Sequence, residues 1–189
     1  MSDELVLVDD NTVSTADKSW KILLVDDEKS VLDVTTLALR NKIISGKKLH
    51  MLLATSAREA KKLIAEHNDI ALALIDVVME TPNAGLELVN YIRNEIKNSM
   101  IGLVLRTGQP NQAPEEHVIN FYDINDYKEK TELTSQKLYT LVRTSVKQYQ
   151  QHLLLQKSRD EIYTKLMTSD LTQLPNRIKL SELLDSEGK

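Results

Sequence analysis

Lys21-Ile-Leu-Leu-Val-Asp-Asp-Glu28 decides the fold. Ile22 to Val25 form an unbroken apolar, β-prone run, whereas a strand with one face in water would alternate apolar and polar residues. The run is therefore expected to be covered on both faces, as strands of parallel sheets are. It stops abruptly at Asp26 and Asp27, which places two carboxylates just past the carboxyl end of a buried strand.

The same grammar repeats downstream. Val31, Leu32, Val34, Leu37, Ala38 and Leu39 recur at helical spacing, Ser45-Gly46-Lys47 marks a turn, and His50 to Ala54 reads as a strand. Ser56-Ala-Arg-Glu59 is a capping box that opens a helix through Leu63 and Ile64. Ile70 to Ile75 is a second wholly apolar strand, ending in Asp76. A loop with Pro82 and Gly85 follows, then a helix from about Leu86 to Ile96. Further on come a strand Ile101 to Leu105 near Thr107-Gly108, a helix around Glu115 to Tyr122, and a short strand near Asp126 to Lys128. Strands that alternate with helices predict an α/β fold: a doubly wound, five-stranded parallel sheet of flavodoxin-like type with right-handed crossovers.

Upstream, residues 1–19 carry five acidic side chains and no sustained period, and are expected to be a mobile acidic tail. Downstream of Thr134 the text becomes one long polar helix through Leu138, Leu141, Val142, Val146, Tyr149, Leu153, Ile162 and Leu166, with no Gly or Pro before Pro175. The expected organisation is a tail over 1–19, a domain over 20–133, a signalling helix over 134–169 and the start of a further domain over 170–189. In that helix Ser145, Gln148 and His152 fall at heptad seam positions where apolar residues would strengthen a coiled coil.

In a doubly wound sheet the working crevice lies beyond the carboxyl ends of the strands. Asp26, Asp27, Asp76, Thr107 and the Lys128/Lys130 pair all fall there. Three carboxylates at one sheet edge repel one another, and an all-oxygen set points to Mg²⁺ as the neutralising ion. One carboxylate then serves as a nucleophile toward phosphorus, while a hydroxyl and an ammonium meet the charge on the phosphoryl oxygens. Each piece has a plain alternative: paired Asp residues are often solvated loop charges, and Thr-Gly is usually only a turn. Their joint order carries the reading. His50, His67, His117 and His152 show no metal-ligand spacing.

Residues 21 to 133 resemble the receiver domains of two-component response regulators. The resemblance rests on Ile22-Leu-Leu-Val-Asp-Asp-Glu28, Leu74-Ile-Asp76 with Met79, Leu105-Arg-Thr107-Gly108 and Asp126-Tyr127-Lys-Glu-Lys130. It implies that Asp76 is the phosphoacceptor and that Asp26, Asp27, Asp76 and the backbone carbonyl of Val78 hold Mg²⁺. Thr107 and Lys130 would contact the phosphoryl group, with Thr107 and Tyr127 as the switch pair; Tyr127 stands three positions before Lys130, the family's spacing. Phosphorylation would then alter the face formed by the fourth helix, fifth strand and fifth helix (the 4-5-5 face). Three features depart from the pattern: Thr131 where the family usually has Pro, Arg106 beside the threonine, and extra residues around Lys42 to Lys48.

Arg106-Thr-Gly-Gln-Pro110 and Tyr122 to Leu133 resemble a regulator subgroup often joined to cyclic-di-GMP enzymes. Asp170-Leu-Thr-Gln-Leu-Pro-Asn-Arg177 is similar to the entry motif of GGDEF domains, the diguanylate cyclases, with Gln173 in place of Gly. The chain stops before any cyclase active site. The resemblance implies a phosphoacceptor that is not itself an enzyme, served by a histidine kinase or phosphotransfer protein, acting on an output domain in the same parent chain, with a homodimer through the C-terminal helix. Two readings compete: the regulatory part of a diguanylate cyclase or other cyclic-di-GMP enzyme, and a pseudo-receiver that is never phosphorylated.

Composition agrees with a folded, water-soluble protein. The 189 residues suit one domain plus an appendage, and 41% apolar with 28% charged residues allows a core. A net charge of -4 and a pI near 5.6 give no attraction to nucleic acid or to a membrane surface. There are no cysteines, no export signal and no spanning run, so a cytoplasmic location is expected. A haloacid dehalogenase-type phosphatase would need an Asp where Val78 stands, and no Gly-rich phosphate loop follows any strand.

Overall fold

The computed structural model describes residues 19–108, 124–132 and 134–167. The elements are β1 (Ser19–Val25), α1 (Lys29–Leu39), β2 (Ile43–Ile44), β3 (Lys47–Ala54), α2 (Ala57–Glu66), β4 (Ile70–Asp76), α3 (Ala84–Asn90), β5 (Gly102–Thr107), β6 (Asp126–Glu129) and α4 (Ser135–Met167). The acidic tail up to Lys18, the helix expected around Glu115 to Tyr122 and the GGDEF-like onset at Asp170 lie outside the described residues, while Ser19, the last residue of the expected tail, opens β1.

The sheet has the order β2-β3-β1-β4-β5-β6, and every pairing is parallel except β2 with β3. It is the expected doubly wound architecture with six strands rather than five. The extra strand comes from the added residues at Lys42 to Lys48. Ser45 (φ 49°) and Gly46 (φ 78°) both take left-handed backbone, as the two-residue hairpin turns that match strand twist require. Trp20 then fixes the hairpin from below, its indole N–H donating to the Ile44 carbonyl at 2.9 Å.

Strand alternation divides the core in two. Leu23, Val25, Ala73, Ile75, Leu103 and Leu105 face one layer with Ala60 and Ile64 of α2 and Leu88 and Val89 of α3. Trp20, Ile22, Leu24, Leu74 and Val104 face the other, with Leu32 and Leu39 of α1 and Leu138, Val142, Val146 and Tyr149 of α4. β4 is buried at all seven positions, which is why its sequence never alternates. The first half of α4 thus completes the core, so the boundary expected at 133/134 precedes an element that the sheet needs for its own burial.

Helix ends follow local chemistry. The Ser56 hydroxyl accepts from the Glu59 N–H at 3.2 Å, as the capping box requires, but the Glu59 carboxylate reaches back to the N–H and hydroxyl of Thr55, both at 2.7 Å. That interaction holds the Glu59 pKa below the ordinary carboxylate value. α3 ends in a π-helical turn over Tyr91–Glu95, closed by the Ile96 N–H donating to the Tyr91 carbonyl at 3.0 Å. α4 runs for 33 residues, about 50 Å at 1.5 Å per residue.

Candidate functional site

The ends of β1 and β4 bring Asp26, Asp27 and Asp76 together. One carboxylate oxygen of each lies within 4.8 Å of the others, with Asp26 and Asp76 buried and Asp27 exposed. Two loop contacts hold the frame: the Asp26 N–H donates to the Ala54 carbonyl at 3.1 Å, and the Glu28 N–H to an Asp26 carboxylate oxygen at 3.1 Å. Beneath Asp76 the first turn of α3 approaches with no room for a side chain. A Cβ on Gly85 would overlap the Asp76 carbonyl oxygen and lie 2.8 Å from Val77 Cα.

Lys130 closes the site from the far side. It follows β6 directly and opens a short 3₁₀ turn, Lys130–Glu132. Its ammonium donates to Asp76 Oδ2 at 2.9 Å, meets the two Asp26 oxygens at 3.1 and 3.3 Å, and lies 3.6 Å from Glu28. Lys128 turns elsewhere and pairs with Asp126 at 3.2 Å. Thr107 is buried at the end of β5, one residue beyond the Asp76–Arg106 register pair. Val78 sits two positions past Asp76 with its side chain partly in solvent. Tyr127 is 3% exposed and belongs to the core layer of Leu103, Leu105 and Ile124.

Arg106 is the functional candidate whose part the sequence reading did not assign. Its guanidinium is buried, with Nη2 donating to Asp26 Oδ2 at 3.3 Å and Nη1 to the Thr35 hydroxyl of α1 at 3.2 Å. The signal was present in strand parity: Arg106 shares a face with Val104, as Asp26 continues the face of Ile22 and Leu24.

Electrostatics follow from burial. Removal from water pushes the Asp76 carboxyl above the ordinary carboxylate value and Asp26 adds to the rise, while the Lys130 hydrogen bond and charge oppose it. Burial disfavours the Lys130 charge, yet its bonds to Asp76 and Asp26 outweigh that and raise its pKa. Burial lowers the Arg106 pKa against the pull of Asp26 and Asp76. Three carboxylates face two cations, which leaves excess negative charge for a hard cation. The oxygen-only donor set suits Mg²⁺.

No family model matches the chain. Among curated proteins, the 3'3'-cGAMP-specific phosphodiesterase 2 of Vibrio cholerae is 48% identical over 147 residues, 78% of this chain, and the match spans only 28% of that protein's length. The match is longer than the whole stretch before α4, so it runs into the long helix. Among solved structures, a response regulator receiver domain from Clostridium thermocellum is 21% identical with a TM-score of 0.58, over 71% of this chain and 98% of that one. An adenylate cyclase structure from Rhodopirellula baltica matches at 20% identity and TM-score 0.61, covering 78% and 98%. The N-terminal domain of a response regulator/sensory box/GGDEF protein from Carboxydothermus hydrogenoformans matches at 22% and 0.57, covering 70% and 98%. At these identities the structural likenesses establish the fold, which is that of receiver domains.

Proposed function

We propose that this chain, whose fold is that of receiver domains, is the phosphorylation-controlled input of a two-component response regulator. It would accept a phosphoryl group on Asp76 from a histidine kinase or phosphotransfer protein. One observation carries the reading: Lys130 donates to Asp76 Oδ2 at 2.9 Å beside three carboxylates that converge within 4.8 Å. Asp27 and Asp76 with the Val78 carbonyl would hold Mg²⁺, and Asp26 completes the acidic cluster beside them. When bound, Mg²⁺ would neutralise the carboxylates and draw charge from the phosphoryl oxygens.

The protein's own groups do the rest. An Asp76 oxygen attacks the phosphorus of a phosphohistidine, the phosphorus–nitrogen bond breaks, and the imidazole nitrogen keeps the electron pair. The Thr107 hydroxyl then donates to a phosphoryl oxygen. Lys130 passes from the carboxylate to the phosphoryl group with little travel, since Asp26 holds its other side. We take the receiver unit to include the first half of α4 and the remainder of that helix to be its transmitter, in a cytoplasmic protein without nucleic-acid or membrane partners.

The 48% identity to a cyclic-dinucleotide phosphodiesterase favours a cyclic-dinucleotide enzyme as the parent protein, with this chain as its regulatory part. On that reading the output is a phosphodiesterase or, from the Asp170 to Arg177 wording, a GGDEF enzyme. The test of the site is incubation with Mg²⁺ and acetyl phosphate, read by intact mass against Asp76→Asn. A Mg²⁺-dependent adduct of one phosphoryl group, lost in the variant, is expected. No adduct in either protein would leave a pseudo-receiver.

A further inference from the structure

Arg106 is the only buried cation among the described residues, and phosphoryl transfer at Asp76 makes no use of it. Burying a guanidinium is costly unless its donors are met. Here Nη2 meets Asp26 and Nη1 meets Thr35, while Nε has no partner. The charge that offsets this burial is the Asp26 carboxylate, itself buried. On the other side of that carboxylate Lys130 lies at 3.1 Å. Asp26 is therefore fully engaged by two cations, whereas Asp27 is exposed and has a solvent-facing carboxylate. The two parts of the Asp pair do different jobs.

We propose that Arg106 is a positioning residue that keeps Asp26 as its permanent counter-ion, so that Asp27 and Asp76, with the Val78 carbonyl, carry direct cation binding. The inference rests on the metal-dependent phosphoacceptor reading and deepens it. A fixed positive charge beside the cation site lowers Mg²⁺ affinity and offsets part of the repulsion among the carboxylates in the metal-free protein. The guanidinium also forms the floor of a groove between α1 and the start of α4, lined by Val31, Val34, Thr35, Lys130 and Leu138. The charge balance of the site is thereby tied to the packing of α1 through Thr35.

The test is Mg²⁺ titration by calorimetry, repeated with Mn²⁺, together with thermal melts with and without Mg²⁺. Four versions of the 189-residue chain are compared: wild type, Arg106→Met, Arg106→Lys, and the double variant Asp26→Asn/Arg106→Met. Arg106→Met is expected to bind Mg²⁺ on the order of tenfold tighter, the effect of removing one nearby positive charge. Its metal-free melt falls and its Mg²⁺-induced rise in Tm grows. Arg106→Lys keeps the charge and stays near wild type. The double variant removes both charges, so it melts like wild type without metal and binds Mg²⁺ within about threefold of it, a difference of about half a tenfold step.

Unchanged affinity in Arg106→Met, or loss of binding in a folded double variant, overturns the assignment, the latter because Asp26 would then be a ligand. If Arg106→Met folds only with Mg²⁺, the double variant decides, since it leaves no buried charge unpaired. Binding by Arg106→Met but not by wild type supports the assignment in its strongest form. Binding by none overturns it. Normal Mg²⁺ affinities with no beryllofluoride adduct on Asp76 would instead sink the phosphoacceptor reading while leaving the affinities to decide the role of Arg106.

Discussion

Asp76 carries opposing demands, because a nucleophile must be charged and burial disfavours charge. Its carboxyl pKa is raised by desolvation in the folded chain, so between the ordinary carboxylate value and that raised value the folded state holds a proton the unfolded chain has lost. Metal-free stability therefore falls as pH rises through the folded pKa of Asp76. Asp76→Asn should raise the metal-free Tm by a few degrees at neutral pH, and the gain should shrink as the pH is lowered into the carboxylate range. Melts in EDTA across that range check this; a variant less stable than wild type at neutral pH would show that the Lys130 pair outweighs desolvation. Lys130 has the same sign of pH dependence in a different window. Its raised pKa contributes stability that is complete below its unfolded value and lost only as pH climbs through the folded one, at the alkaline end. Gly85 adds a steric constraint: Gly85→Ala would push α3 off the Asp76 carbonyl, costing about 2 kcal/mol as other overpacked sites do, measured by urea unfolding.

At the scale of elements, what could be read from the sequence follows from how many residues carry the signal. β1 and β4 were legible because a strand buried on both faces writes an unbroken apolar run, and the capping box at Ser56 because its offset is fixed. β2 is only two residues long, too short for any period, and showed itself only as extra length around Ser45-Gly46. The π turn after Asn90 depends on one shifted hydrogen bond and has no sequence mark. In the site, the acidic residues and Lys130 were visible as residues that follow strands, whereas the inward course of Arg106 required counting parity from Val104 across a junction with no helical or apolar cue. The hairpin permits a separation of causes. Gly46→Ala meets open space, so its cost is backbone strain alone, about 1 kcal/mol. Trp20→Phe removes the donor to the buried Ile44 carbonyl and shrinks the ring that meets Tyr149 edge to face, at 6.3 Å between ring centres, and should cost more, about 1 to 3 kcal/mol. Paired denaturation curves of the two variants check the order.

The whole molecule is a sheet with a lever attached. Leu138, Val142, Val146 and Tyr149 bind α4 to the sheet, and past Tyr149 the same stripe passes Leu153, 39% exposed, to Gln156 and Asp160, so the apolar hold on the helix fades. The seam register that puts Ser145, Gln148 and His152 at core positions continues to Leu155, Arg159, Ile162 and Leu166. Ser145 is buried against the sheet, while Gln148 and His152 are exposed polar breaks in the seam. Leu155 is 68% and Ile162 56% exposed, which leaves an apolar pair open to a second helix. A seam of so few apolar positions, interrupted by Arg159, is too short for a tight pair. Light scattering over a concentration series should therefore show weak self-association, strengthened by beryllofluoride with Mg²⁺ if the switch at Asp76 reaches α4 through Lys130 and the groove beside α1. Leu155→Glu with Ile162→Glu should give a monomer under both conditions while leaving the Asp76 adduct intact, because these residues lie beyond the receiver core. A monomer at every concentration in wild type, with or without beryllofluoride, would mean that the lever transmits by docking on its own output domain rather than on a second copy.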